Sequence, residues 1–109
     1  MIKTSLHVPH TDNDGQAFLA EDWRELEIRL IDQFGGFSCD LHVAGAWRSA
    51  TGVLYWDVSR RYIIALDSWA RIPTFLDTVT WVIERFRQEA IYVDIAGIPE
   101  IIGRKIDIY

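Results

Sequence analysis

The hydrophobic period of this chain changes from two residues to about 3.6 and back, and it does so twice. Ile2 to Val8 alternates apolar and polar residues, as a half-buried strand does. From about residue 20 the apolar residues recur at helical spacing, which predicts a helix over 21–34 that Gly35-Gly36 ends. The apolar residues of that helix are Trp23, Leu26, Leu30 and Phe34.

A second strand, a turn and a third strand are predicted between residues 37 and 66. Phe37 to Trp47 alternates, with Phe37, Cys39, Leu41 and Val43 on one face. Arg48 to Gly52 is predicted to be the turn of a hairpin, and 53–66 the returning strand. The polar run Ser59-Arg60-Arg61 interrupts that strand pattern, so we expect a bulge or short break there.

The second half of the chain repeats the helix-to-strand change. Pro73 suits the first turn of a helix, predicted over 73–88. Ile91 to Ile95 is a fourth strand, which Gly97 and Pro99 are expected to end. The alternating tail, residues 104–109, is a candidate for a short fifth strand.

The order β-α-β-β-α-β predicts one α+β domain over residues 1–109, with a ferredoxin-like antiparallel sheet and both helices on one face. The other face of such a sheet has to be covered or polar. Five Trp, five Phe and four Tyr are many rings for a core of this size. We therefore expect a homodimer or higher oligomer in which Trp47, Trp56 and Tyr92 form the contact.

Composition excludes several classes of function. The net charge of −5 at pH 7 argues against a protein that neutralises nucleic-acid phosphates. Neither a secretory leader nor an apolar run of the ~18 residues that span a membrane is visible, so we expect a cytoplasmic protein with no membrane partner.

Cys39 is the one cysteine, and its apolar neighbours favour a buried, inert thiol. No motif indicates a cofactor.

The strongest candidate site lies around the predicted hairpin. In one interpretation Arg48 and Arg60 bind an anionic ligand, Trp47 forms a stacking wall, and Asp57 and His42 are the catalytic groups. In the other, Asp57 pairs with an arginine and the guanidinium groups belong to a solvated strand edge. The first interpretation requires the guanidinium groups of Arg48 and Arg60 to converge.

Two further groups of polar residues have competing interpretations. His10, Asp12, Asp14 and Glu21 follow the spacing of a calcium loop, except that His10 stands where the first carboxylate belongs. The alternative is that the two aspartates form local turns between strand and helix. His7 and His42 could meet as a base or a metal site, or be ordinary hydrogen-bonded interface residues; we expect no metal.

The order of several short motifs resembles an uncharacterised group of small bacterial ferredoxin-like proteins. The similar features are Phe34 to Phe37 after the first helix, Gly45-x-Trp47-Arg48 at the hairpin, Asp57-Val58-Ser59-Arg60, and Phe86 to Ala90 before the last strand. They cover most of residues 23–94. The resemblance implies the fold and no particular reaction.

Two classes of function are compatible with these residues. In the first, the chain binds or transforms a small anionic or aromatic molecule in a cleft of an oligomer. In the second, it is a homo-oligomeric interaction module without chemistry, whose aromatic rings form the interface. Covering of the rings by a second copy, without a cavity, would favour the second class.

Overall fold

Five strands and two α-helices follow one another along residues 1–48 and 50–103, the part of the chain that the computed structural model describes. A single turn of 3-10 helix, Trp69–Arg71, comes before the second α-helix. The elements are β1 (Ile2–Pro9), α1 (Ala20–Phe34), β2 (Ser38–Arg48), β3 (Leu54–Leu66), α2 (Ile72–Arg85), β4 (Ala90–Ile95) and β5 (Ile98–Gly103). No helix in these ranges is both long and apolar enough to cross a membrane.

The strands form one antiparallel sheet in the order β2-β3-β1-β4-β5. The first four positions of this order are those of a ferredoxin-like sheet, and β5 extends it as a hairpin partner of β4. The predicted α+β fold with an antiparallel sheet is therefore confirmed.

Both helices contribute to one core on a single face of the sheet, which we call the helix face. The opposite face is called the open face. Alternate residues of the central strands enter this core, as the pleat of a strand requires. The buried apolar residues include Leu6, Val8, Leu26, Leu30, Tyr62, Ile64, Phe75, Val79, Val82, Ile83, Phe86, Ile91 and Val93.

Local signals place the helix ends close to their predicted positions. The Asp22 carboxylate accepts the Leu19 N–H at 2.8 Å, which satisfies one of the unpaired donors at the start of α1. Gly35 adopts a left-handed conformation with φ 85° and ends α1. The second helix ends at Arg85, three residues before the predicted end, because the chain turns back through Arg87 at φ 50°.

The expected bulge lies in β2 and not in β3, which runs unbroken from Leu54 to Leu66. Asp40 pairs with Arg61 and Val43 with Ser59, so β2 holds one residue more than β3 in this interval. Leu41 and His42 therefore both lie across from Arg60. The extra residue shifts the alternation, so Cys39 and Val43 face opposite sides of the sheet, contrary to the predicted single face.

A fifth strand, β5, follows β4 directly, in a segment for which the sequence predicted no strand. Ala96 and Gly97, at φ 55° and 87°, make a two-residue turn that connects β4 directly to β5. Pro99 lies within β5, across from Asp94, and does not end the strand. An edge strand tolerates proline because its missing N–H can face away from the partner strand. The predicted tail strand, 104–109, lies outside the described residues.

Candidate functional site

The residues predicted to form one site are divided between the two faces of the β2–β3 hairpin. Tyr62 is completely buried in the core on the helix face, and Arg60 lies on the same side of β3. Asp57 occupies the alternate position along the regular strand and belongs to the open face, together with Tyr55. Trp47 pairs with Tyr55 in the register and therefore lies on the open face as well.

On the open face, Trp47 and Tyr55 form a stacked aromatic pair. Their ring centroids are 4.7 Å apart and the planes differ by 18°. The two residues remain 52% and 47% exposed. Their outer surfaces are therefore accessible to a flat ring or a cation.

Asp57 lies beside this aromatic pair, two residues along β3 from Tyr55 and directly across from Gly45. Its Oδ1 atom is shielded from solvent and has no hydrogen-bond partner among the described residues. A Cβ placed on Gly45 would meet nothing within 4 Å, so space remains open opposite the carboxylate. We call the group Gly45, Trp47, Tyr55 and Asp57 the hairpin notch.

Arg60 belongs to a different cluster, on the helix face. Its Cζ lies 4.1 Å from the ring centroid of Trp23, and its Nη1 donates to Glu27 Oε2 at 3.2 Å. The Tyr62 hydroxyl donates to the same Glu27 oxygen at 2.7 Å. Burial, and then this bond to Glu27, raises the pKa of Tyr62 well above its ordinary value, so the phenol stays protonated.

His42 lies in the bulge and joins the cluster of Arg60. Its ring centroid is 5.2 Å from that of His10, which is 6.1 Å from that of Trp23. His10 Nε2 donates to the carbonyl oxygen of Leu41 at 2.8 Å, which ties the loop after β1 to the bulge. The structure therefore brings His42 close to the Arg60 cluster and away from the hairpin notch.

Arg48 lies at the far end of the hairpin. Its Nη1 donates to the carbonyl oxygen of Gly52 at 3.0 Å across the turn. It pairs in register with Leu54, and Arg60 is six residues further along β3, a separation of about 20 Å. The structure does not bring the Arg48 and Arg60 guanidinium groups together, so a single anion cannot contact both.

The second candidate histidine, His7, lies on the open face away from His42. It pairs in register with Arg61, and its ring contacts Tyr92 edge-on with centroids 4.9 Å apart. Burial, followed by the nearby Arg61 charge, lowers the pKa of His7 below its ordinary value of 6.5, while Asp94 opposes the shift. No group of three or more possible metal ligands occurs among the residues the structure describes.

The Asp12 loop is held by its own hydrogen bonds. Asp12 Oδ1 accepts the backbone N–H groups of Asp14 and Gln16, both at 2.9 Å. Its Oδ2 accepts both Arg87 donors, at 3.0 and 3.2 Å. These contacts support the interpretation of this segment as a local turn between strand and helix.

Sequence reasoning missed several residues of both clusters. Tyr55 could have been found, because pairing Trp47 and Tyr55 follows from a hairpin centred near residue 51. Glu27 and Trp23 looked like ordinary helix residues, and no local pattern indicates that they meet Arg60. Their contact depends on how α1 packs across the sheet.

Comparisons with known proteins give a match in structure and none in sequence. No family model matches the chain, and no curated protein matches it. A phage SAM (S-adenosylmethionine) lyase in complex with S-methyl-5′-thioadenosine superimposes with a TM-score of 0.69 at 20% identity, over 99% of this chain and 92% of that one. The apo state of a phage SAM lyase gives a TM-score of 0.69 at 19% identity, over 99% and 91%. The chain therefore shares the small α+β fold of these phage proteins.

Proposed function

We propose that this chain binds S-adenosylmethionine and cleaves it, with S-methyl-5′-thioadenosine as one product. The observation that carries the proposal is the extent of the structural likeness. A phage lyase that holds S-methyl-5′-thioadenosine matches this chain over nearly the whole length of both molecules. Folds host many functions, so the proposal also needs support from the residues of this chain.

The hairpin notch offers chemistry that suits such a ligand. S-adenosylmethionine combines a flat aromatic base with a positively charged sulfonium. The exposed surfaces of Trp47 and Tyr55 can stack on a base, as aromatic side chains do with nucleobases. The Asp57 carboxylate lies beside them, and its Oδ1 atom has no hydrogen-bond partner among the described residues. We place the ligand there.

The reaction would need little from the protein in the way of proton transfer. Cleavage breaks the bond between the sulfonium sulfur and the four-carbon amino-acid chain, and the electron pair stays on sulfur. One balanced route that adds no water is attack of the substrate's own carboxylate on the departing carbon, which closes a lactone. The protein would hold the folded substrate and exclude water.

A single protomer leaves the notch open to solvent, since Trp47 and Tyr55 are each about half exposed. We propose that a second copy of the chain covers the hairpin and closes the site. One contact between two copies would then both form the expected oligomer and exclude water from the site.

Calorimetric titration and product analysis test the proposal together. The wild-type chain is titrated with S-adenosylmethionine and with S-methyl-5′-thioadenosine, and release of the latter from the former is followed by chromatography. We expect binding of both and a release rate above that of buffer alone. Trp47→Ala should weaken the binding of both ligands, while Trp69→Ala, at an exposed tryptophan outside the hairpin, should leave binding unchanged. Absence of binding contradicts the proposal, and binding without release contradicts its enzymatic part.

The alternative is a homo-oligomeric interaction module without catalysis. The specific observation in its favour is that apolar residues are exposed on both faces of the hairpin. They are Trp47, Val53, Leu54, Tyr55, Trp56 and Val58. A stable oligomer that binds neither nucleoside would support this alternative.

A further inference from the structure

We infer that Asp57 makes the hairpin notch selective for a positively charged ligand, a sulfonium or other onium ion, over its neutral thioether counterpart. The inference rests on the proposed function and adds to it the group that recognises charge. It also assigns Asp57 to ligand binding, where the sequence suggested a catalytic role.

The first observation is the unsatisfied oxygen of Asp57. A shielded carboxylate oxygen without a donor has lost its hydration and gained nothing in return, which is unfavourable. Native structures leave few such atoms, and they merit an explanation. A cation that enters the notch would offset the negative charge of this partly exposed side chain.

The second observation is that the arginines around Asp57 are engaged elsewhere. Arg48 donates to the Gly52 carbonyl, Arg60 pairs with Glu27, and Arg61 pairs with Asp40. None of the ion pairs in the part of the chain that the structure describes involves Asp57. The described residues therefore leave room for a ligand cation to supply the compensating charge.

The third observation is the position of the aromatic pair relative to the carboxylate. Same-face neighbours on a strand are about 7 Å apart, so the Tyr55 ring and the Asp57 carboxylate can contact one small group. The negative π surface of an aromatic ring attracts an onium ion. Gly45, across from Asp57, leaves room for the substituents that such an ion carries.

Selectivity for charge has a consequence for turnover. Cleavage converts the sulfonium into a neutral thioether, which loses its attraction to the Asp57 carboxylate. The product should then bind more weakly than the substrate, which favours its release. The same attraction stabilises the bound substrate, so Asp57 contributes to affinity more than to the rate of cleavage.

The test compares two ligands that differ in one methyl group and one charge, S-adenosylmethionine and S-adenosylhomocysteine. For Asp57→Asn we expect about a tenfold or greater loss of affinity for the charged ligand, the size expected when a charge-assisted contact is removed. Affinity for the neutral ligand should stay unchanged. Asp32→Asn, the same charge change on the exposed side of α1, should alter neither. Gly45→Val should weaken the binding of both ligands, because the added side chain fills the notch.

Equal effects of Asp57→Asn on the two ligands, or no effect on either, would overturn the inference. If the wild-type chain binds neither nucleoside, the proposed function is wrong, and titration with phenyltrimethylammonium decides the rest. Binding of that onium ion to the wild type but not to Asp57→Asn would keep the inference. Failure of the wild type to bind it would overturn that as well.

Discussion

Arg60 lies over the indole of Trp23, with 4.1 Å between its Cζ and the ring centroid, and also pairs with Glu27 at 3.2 Å. The side chain connects β3 to α1 across the edge of the core. We expect Arg60→Ala to destabilise the fold by about 1–2 kcal/mol, from loss of the cation–π contact and a partly shielded ion pair. Chemical denaturation measures this.

Ligand binding distinguishes this structural role from the role in a ligand site suggested by the sequence. The hairpin notch is on the opposite face of β3, so Arg60→Ala should leave the affinity for S-adenosylmethionine unchanged. Arg24→Ala, on an exposed part of α1, is the control for stability. Lost affinity at unchanged stability would mean that Arg60 contacts the ligand after all.

Leu26 is completely buried at the centre of α1. Leu26→Ala should lower the free energy of unfolding by about 2–5 kcal/mol, as large-to-small changes in a core do. Denaturant titration of the variant and of Ile28→Ala, a half-exposed position on the same helix, provides the comparison. A loss below about 1 kcal/mol at Leu26 would mean that α1 packs by another face.

The sequence predicted the fold well because hydrophobic periodicity reports burial on one face. Leu26, Leu30 and the alternating apolar residues of Ile2 to Val8 had to be inside, and a βαββαβ order with two helices allows few arrangements that place them there. Periodicity does not report an inserted residue in a strand. The bulge at His42 puts every later residue of β2 on the face opposite to the one predicted by alternation. No residue preference at that position indicates a bulge.

The candidate site was only partly predictable for the same reason. Trp47 and Asp57 share a face because β2 pairs regularly with β3 beyond the bulge, with Gly45 across from Asp57 and Trp47 across from Tyr55. His42 and Arg60 are close to them in sequence, yet they lie on the other face of the sheet. Two residues that are close along a hairpin share a face only when the alternation of side chains in each strand puts them on the same side.

His7 should make stability depend on pH in a defined window. Burial and Arg61 hold its folded pKa below 6.5, so the folded state binds the proton less readily than the unfolded chain. The contribution of His7 to stability is therefore fully present above about pH 6.5 and decreases as the pH falls from there toward the folded pKa. Denaturation midpoints measured between pH 7.5 and about 5 should show this slope, and His7→Gln should flatten it.

The carboxylates supply a separate window that serves as a control for His7. Backbone N–H donors, from Gln16 to Asp12 and from Leu19 to Asp22, lower the pKa of both acids, with further help from Arg87 and Arg85. Their stabilisation is present above about pH 4 and is lost below it. A slope near pH 6 that survives His7→Gln would assign the titration to another group.

Trp56 is 78% exposed on the face of the hairpin opposite Trp47 and Tyr92, so the single contact expected for these three rings does not form one surface. Its exposure and position make it informative for testing assembly. We expect the wild-type chain to be a dimer or higher oligomer at high micromolar concentration, because a monomer would leave the apolar hairpin in water. Trp56→Arg should reduce the mass measured by light scattering. Trp69→Arg, at a tryptophan that is 65% exposed outside the hairpin, should not.

The two variants also separate assembly from ligand recognition. If the copy that buries Trp56 also extends over the open face and closes the notch, Trp56→Arg should weaken the binding of S-adenosylmethionine in step with the loss of oligomer. Raising the protein concentration should restore both together, by mass action. A monomeric wild type would contradict the assembly outright. A Trp56→Arg monomer with full affinity would mean that one hairpin alone holds the ligand.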